Sequence, residues 1–216
     1  MCSSAETIGA ELKLQNPMTH HPLTGQPAPA LSLPDAAGET FTFTPGAKGV
    51  PVALFFYPKS GSFGCTKEAC QFRDALAEKE LFKRTKLEVI GISGDPVDKQ
   101  KTFVDKQKLT YPVLSDVNGE ARKAYHVGKG LLGFAETSRV TFFIDSKGVV
   151  RDSLDATLNY GAHVKFVTKW LDKLEAEEKK AAEAPAEGAT AAEPAAPTGE
   201  TQEEGELGRA AQAVQA

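Results

Sequence analysis

The run Val52-Ala53-Leu54-Phe55-Phe56 is apolar at every position, and Val50 and Pro51 lead into it. A strand with one wet face alternates apolar and polar residues, whereas a strand buried on both faces does not. The stretch from Val50 to Phe56 therefore predicts the central strand of a layered α/β sheet. The composition then changes within a few residues, to Tyr57-Pro58-Lys59-Ser60-Gly61-Ser62-Phe63-Gly64-Cys65. Pro58 fixes the backbone at the strand exit, and Gly61 and Gly64 let the loop approach closely. A helical pattern follows over 65–83, with Ala69, Phe72 and Leu76 at three- and four-residue spacing.

A thiol thus stands where a buried strand has ended and a helix begins. Open α/β sheets place their sites at this carboxyl end of the strands. A helix start carries partial positive charge and unpaired N–H donors. A cysteine placed there ionises more readily than a free thiol, and the thiolate is the reacting form. Ser62, three residues upstream, can present a hydroxyl to the same pocket or act as an N-cap. A second cysteine, Cys70, follows five residues after Cys65. On an ideal helix that spacing separates the Cα atoms by about 8.6 Å, and a disulfide needs less than about 7 Å. If the two bond, the first turns of the helix must unwind. The pair is not Cys-x-x-Cys, so the usual dithiol oxidoreductase motif is absent.

Strands and helices alternate along the middle of the chain. Leu31–Leu33 and Thr40–Phe43 predict a hairpin around Asp35–Gly38. Leu87–Ile92 predicts a strand, Pro96–Lys108 a helix, Tyr111–Leu114 a short strand and Asn118–Tyr125 a short helix. Arg139–Ile144 and Gly148–Leu154 predict a second hairpin. A last helix, Gly161–Glu175, has Val164, Val167, Trp170, Leu171 and Leu174 on its apolar face.

Several of these segments together resemble one family. Pro58-x-x-x-Ser62-x-x-Cys65 is similar to the Pro-x-x-x-Thr/Ser-x-x-Cys signature of peroxiredoxins. The longer string Phe55-Phe56-Tyr57-Pro58-Lys59, then Gly64-Cys65-Thr66-Lys67-Glu68-Ala69-Cys70-Gln71-Phe72-Arg73-Asp74, resembles the peroxiredoxin Q branch, also called bacterioferritin comigratory proteins. Gln26-Pro27-Ala28-Pro29, Leu33-Pro34-Asp35-x-x-Gly38, Val89-Ile90-Gly91-Ile92-Ser93 and Arg139-Val140-Thr141-Phe142-Phe143-Ile144-Asp145 fall in the family's order. The resemblance covers roughly residues 21–176. The chain departs from it in having Ser62 for threonine and Phe63 for proline. The first keeps the hydroxyl, and the second makes the loop less rigid.

The resemblance implies a thioredoxin-like α/β fold and a thiol-dependent peroxidase acting on hydrogen peroxide and organic hydroperoxides. Cys65 would be the peroxidatic thiolate, oxidised to a sulfenic acid. Cys70 would resolve it as an intramolecular disulfide, recycled by thioredoxin or a similar dithiol protein. Ser62 would hydrogen-bond the peroxide, Pro58 would shield the thiolate, and Arg139 would lend its charge to both sulfur and peroxide. No metal or organic cofactor is implied.

Plainer roles exist for each residue. Cys65 and Cys70 could be core-facing cysteines, Arg139 a salt-bridged strand residue, Arg73 and Asp74 structural charges, and Cys2 incidental. Two rival functions stand beside the peroxidase: a thioredoxin-like disulfide reductase, and a redox sensor or holdase docking through its acidic tail. From residue 176 to 216 nine glutamates face only Lys179, Lys180 and Arg209, a net charge of −6 that leaves the rest of the chain near +2. With no aromatic residue and no isoleucine there, 177–216 is expected to be a disordered acidic tail, helical near Lys179. Residues 1–20 are expected to be a flexible arm and 21–176 the folded domain. The balance of charge gives no nucleic-acid surface, and no apolar run reaches membrane-spanning length. Met1–Glu6 lacks the pattern of a secretory signal, and three cysteines make no disulfide framework. A reducing compartment, cytosol or nucleus, and a monomer or weak homodimer are expected.

Overall fold

The computed structural model describes residues 21–130 and 137–183. Seven strands and five helices follow one another within these limits: β1 (Leu31–Pro34), β2 (Thr40–Phe43), β3 (Val52–Phe56), α1 (Phe63–Glu78), α2 (Glu80–Arg84), β4 (Glu88–Ser93), α3 (Val97–Gln107), β5 (Val113–Ser115), α4 (Glu120–Ala124), β6 (Val140–Ile144), β7 (Val150–Asp155) and α5 (Tyr160–Glu183). The expected flexible arm, and the tail beyond Glu183, lie outside the described residues.

β3 is the middle of a five-stranded mixed sheet of order β5-β4-β3-β6-β7. It pairs in parallel with β4 and antiparallel with β6, and all five of its residues are buried. Its side chains alternate between two cores. Ala53 and Phe55 meet Phe72, Ala75, Val164, Val167 and Leu171 on the α1/α5 side. Val52, Leu54 and Phe56 meet Ile90, Ile92, Tyr125 and Phe142 on the other. Burying each large side chain contributes roughly 1.5–3 kcal/mol, so β3 is anchored from both faces. β1 and β2 form the expected antiparallel hairpin. It touches the main sheet through the bridge of Asp35 to Leu114.

Several boundaries differ from the sequence-based expectation. The helix expected over 65–83 begins at Phe63 and breaks at Lys79, whose extended backbone (φ −83°, ψ 117°) separates α1 from α2. The break lets Phe82, 1% exposed, turn into the core. β5 starts at Val113, not Tyr111, because Pro112 has no N–H to give the ladder and the Tyr111 hydroxyl is engaged with the Ala69 carbonyl at 2.9 Å. α5 runs eight residues past Glu175. Alanine, glutamate and lysine there are strong helix formers, and Arg151 on β7 pins Glu177 at 2.9 Å. Among the described residues no helix is long and apolar enough to cross a membrane.

Candidate active site

The loop that leaves β3 is fastened before the helix begins. Tyr57 donates its hydroxyl to Gln100 Oε1 at 2.7 Å, and Ser60 Oγ donates to the same oxygen at 2.9 Å. The Ser60 amide donates to Asp95 Oδ2 at 2.5 Å, and Lys99 pairs with the other carboxylate oxygen of Asp95. Gln100 is itself held, its amide nitrogen donating to Ser93 Oγ at 2.7 Å and to the Leu114 carbonyl at 3.1 Å. Tyr57, Ser60, Ser93 and Gln100 are all buried, so these bonds form away from competing water.

Cys65 then falls in the first turn of α1, three residues after Ser62 at the N-cap position. The amides of a first turn have no intrahelical partner and carry the positive end of the helix dipole. Cys65 is 1% exposed. Arg139, just before β6, points Nη2 at its sulfur at 3.3 Å. The guanidinium has little freedom to leave. Nη1 donates to Glu68 Oε2 at 2.5 Å, Nε donates to the Thr157 carbonyl at 3.1 Å, and the Tyr160 ring lies 5.0 Å away, within cation–π range. A fixed cation at this place can stabilise negative charge developing on a bound oxygen.

Glu68 is on the same face of α1 as Cys65, one turn on, and is completely buried. Burial pushes its carboxyl up to about 7, against the opposing pull of Arg139. His163 on α5 is also fully buried, with Nδ1 2.8 Å from Thr141 Oγ1 and 3.5 Å from Glu68 Oε1. Its Nε2 donates to the Ala156 carbonyl at 3.0 Å. Burial pushes the imidazole down to about 4; the Ala156 carbonyl works against this and the charge on Arg139 adds to it.

The second thiol looks elsewhere. Cys70 is half-buried and its sulfur lies 3.6 Å from Gln107 Oε1, at the end of α3. Arg73 donates to the Gln107 carbonyl at 2.5 Å and pairs with Asp74. Both cysteines are free thiols. The Cys65 sulfur faces Arg139 while that of Cys70 faces Gln107 on α3, so a bond between them requires α1 to rearrange.

Of the residues singled out from the sequence, Cys65 and Arg139 come together. Ser62 stands at the helix start, but its hydroxyl donates to the Lys59 carbonyl at 3.0 Å and caps no amide. Pro58 is half-buried beside Tyr57. Cys2 lies outside the described residues. Sequence reasoning missed Glu68, Tyr160 and His163. The position of Glu68 three residues after Cys65 was a usable signal, whereas Tyr160 and His163 arrive from a helix at the other end of the domain.

The AhpC/TSA family model matches residues 24–153. The chain is 39% identical over 150 residues to a chloroplastic peroxiredoxin Q of Suaeda salsa, covering 69% of this chain and 68% of that one. It is 34% identical over 172 residues to the chloroplastic peroxiredoxin Q of Populus jackii, covering 80% and 78%. Among solved structures, the peroxidoxin BcpB of Mycobacterium tuberculosis superposes with a TM-score of 0.61 at 37% identity, over 69% of this chain and 96% of that one. A peroxiredoxin Q of Xanthomonas campestris superposes with a TM-score of 0.59 at 26% identity, over 66% and 90%.

Proposed function

This chain belongs to the AhpC/TSA family, on its peroxiredoxin Q branch, and from that premise we propose that Cys65 is the peroxidatic residue of a thiol-dependent peroxidase and Cys70 its resolving partner. The observation that carries the assignment is the 3.3 Å approach of Arg139 Nη2 to a buried sulfur in the first turn of a helix.

The Cys65 thiolate attacks the terminal oxygen of a hydroperoxide. An S–O bond forms, the O–O bond breaks, and the leaving alkoxide or hydroxide takes a proton. Arg139 stabilises charge on both sulfur and oxygen through the transfer. The Ser62 hydroxyl binds the peroxide after rotating away from the Lys59 carbonyl, and Pro58 keeps water from the sulfur. The Cys70 sulfur then attacks the sulfenic acid, releasing water and closing a disulfide once α1 has unwound. A dithiol protein of the thioredoxin type restores both thiols by exchange.

The folded peroxidase spans residues 21–176, prolonged by α5, and the acidic segment beyond it is dispensable for peroxide reduction. Because both thiols lie in one chain, the cycle needs no second subunit, which favours a monomer. A thiol-recycled enzyme also fits a reducing compartment such as the cytosol.

Stopped-flow peroxide consumption with a thioredoxin system tests the assignment. The wild-type chain turns over repeatedly, Cys65→Ser consumes nothing, and Cys70→Ser reacts once and stalls. Sustained cycling of Cys70→Ser at the wild-type rate rules out its resolving role. A wild-type chain that halts after one equivalent is a sensor and not an enzyme.

A further inference from the structure

Three contacts tie the second turn of α1 to the segment that leaves α3. The Tyr111 hydroxyl donates to the Ala69 carbonyl at 2.9 Å. The Cys70 thiol donates to Gln107 Oε1 at 3.6 Å, and Arg73 Nη1 donates to the Gln107 carbonyl at 2.5 Å. Ala69 lies inside α1, so its carbonyl already serves the helix ladder, and Tyr111 takes the second lone pair. Gln107 is the last residue of α3, and a helix end leaves its carbonyls without an intrahelical partner. Arg73 supplies that partner from α1. The three contacts therefore fasten α1 to residues 107–111, on either side of the second cysteine.

That segment is firmly seated. Tyr111 is buried, and its ring stands edge-on to Phe55 of β3 with centroids 6.0 Å apart. Burial raises its hydroxyl well above the ordinary phenol range, so it remains a donor. β5 follows two residues later and pairs with β4. Cys70 is thus held toward α3 while the Cys65 sulfur faces Arg139. A disulfide needs the two Cα atoms within about 7 Å, so Cys70 has to leave Gln107 before the two sulfurs can meet.

We propose that Tyr111, Gln107 and Arg73 clasp the resolving cysteine, and that opening of this clasp limits the rate at which the Cys65–Cys70 disulfide closes. The proposal rests on Cys65 being the peroxidatic residue and Cys70 its partner. The three are positioning residues, acting on the turn that carries Cys70 and not on the peroxide. While the clasp is shut, the Cys65 sulfenic acid is open to a second hydroperoxide, which transfers one oxygen to the sulfur, leaves as water or an alcohol and gives a sulfinic acid. Once it opens, Cys70 attacks the sulfenic sulfur, an S–S bond forms and water departs. The clasp therefore sets the partition between disulfide and sulfinic acid.

The test is Tyr111→Phe in the full chain carrying Cys2→Ser. It removes one hydroxyl and leaves the ring, the charges and the ladder bond of Ala69 in place. Stopped-flow mixing follows consumption of the first equivalent of hydrogen peroxide, and acid-quenched mass spectrometry follows disulfide and sulfinic acid. The first equivalent is consumed at the parent rate. Closure speeds up about fivefold, the effect of losing one hydrogen bond, and the ratio of sulfinic acid to disulfide falls by the same factor. Tyr125→Phe is the control: it deletes a hydroxyl bond to the Pro29 carbonyl on the other face of the sheet, and its closure rate matches the parent's. Arg73 stays unaltered, because its charge also acts on Cys70. Should Tyr111→Phe fail to fold, Gln107→Ala removes the acceptor of the Cys70 thiol and quickens closure in the same direction. Closure that is unchanged or slower in the folded variant, or quickened equally by Tyr125→Phe, overturns the clasp alone. A parent chain that forms no Cys65–Cys70 disulfide with peroxide overturns the resolving assignment with it.

Discussion

Gly64 lies directly beneath the ring of Tyr160: a methyl group on that glycine would come within 2.4 Å of Cε1 and 2.5 Å of Cζ. The ring also meets Phe63 edge-on, with centroids 6.4 Å apart, and stacks on Arg139. The residue before Cys65 must therefore be small. Gly64→Ala should displace the ring, weaken its hold on Arg139 and cost about 1–3 kcal/mol, the usual range for overpacking. Urea unfolding would measure it. In a Tyr160→Ala background most of that cost should vanish; a cost that persists there would place the strain elsewhere.

The first turns of α1 should loosen on oxidation, because Cys65 faces Arg139 and Cys70 faces Gln107. Amide exchange over residues 63–70 should speed up in the disulfide form, while β3, buried on both faces, stays protected. Equal protection of α1 in both redox states would contradict a Cys65–Cys70 bond.

Stability should respond to pH through two opposed limbs. Glu68 is raised from 4.5 to about 7, so the folded state binds the extra proton. Its contribution is complete below about 4.5 and is lost as pH climbs through about 7. His163 is lowered from 6.5 to about 4, so its contribution is present above about 6.5 and is lost as pH falls through about 4. Each limb is worth about 3 kcal/mol at 1.36 kcal/mol per pH unit, and between pH 4.5 and 6.5 they largely cancel. Glu68→Gln should expose the His163 limb, with stability rising between pH 4 and 6.5. His163→Leu should expose the Glu68 limb, with stability falling between pH 4.5 and 7. Denaturant midpoints across that range would show it; parallel curves for both variants would refute it.

Phe63 is 79% exposed at the first helical position. Proline suits that position, and the extended backbone of Ser62 (φ −69°, ψ 153°) is what a following proline requires. Phe63→Pro should stabilise the reduced chain by about 0.4–1 kcal/mol through the unfolded state and slow disulfide closure, since a stiffer start resists unwinding. Unchanged closure rates would mean that unwinding begins after residue 63.

Much of this was legible from local pattern. The continuous apolar run announced β3, and the spacing of Ala69 and Phe72 announced α1, because both signals lie within a few residues of one another. The break at Lys79 was not legible, since Glu80-Leu81-Phe82 continues helical composition and only the core's demand for Phe82 turns the chain. Arg139 was found through family resemblance, because no local pattern ties a strand-start arginine to a distant sulfur. Tyr160 and His163 were invisible for the same reason. Their importance is created by α5 crossing α1, a tertiary event that the periodicity of α5 does not record.

The bonds of Tyr57 and Ser60 to Gln100 and Asp95 also bear on repeated turnover. If α1 uncoils and recoils in every cycle, as the proposed Cys65–Cys70 bond requires, the spring needs one end bolted down. Here the bolt sits upstream of the sulfur, in a part of the molecule that has no reason to move. On the proposed cycle, motion set off by oxidation would be sent forward along α1 toward Cys70, and on reduction the thiol would return to the same seat beside its arginine.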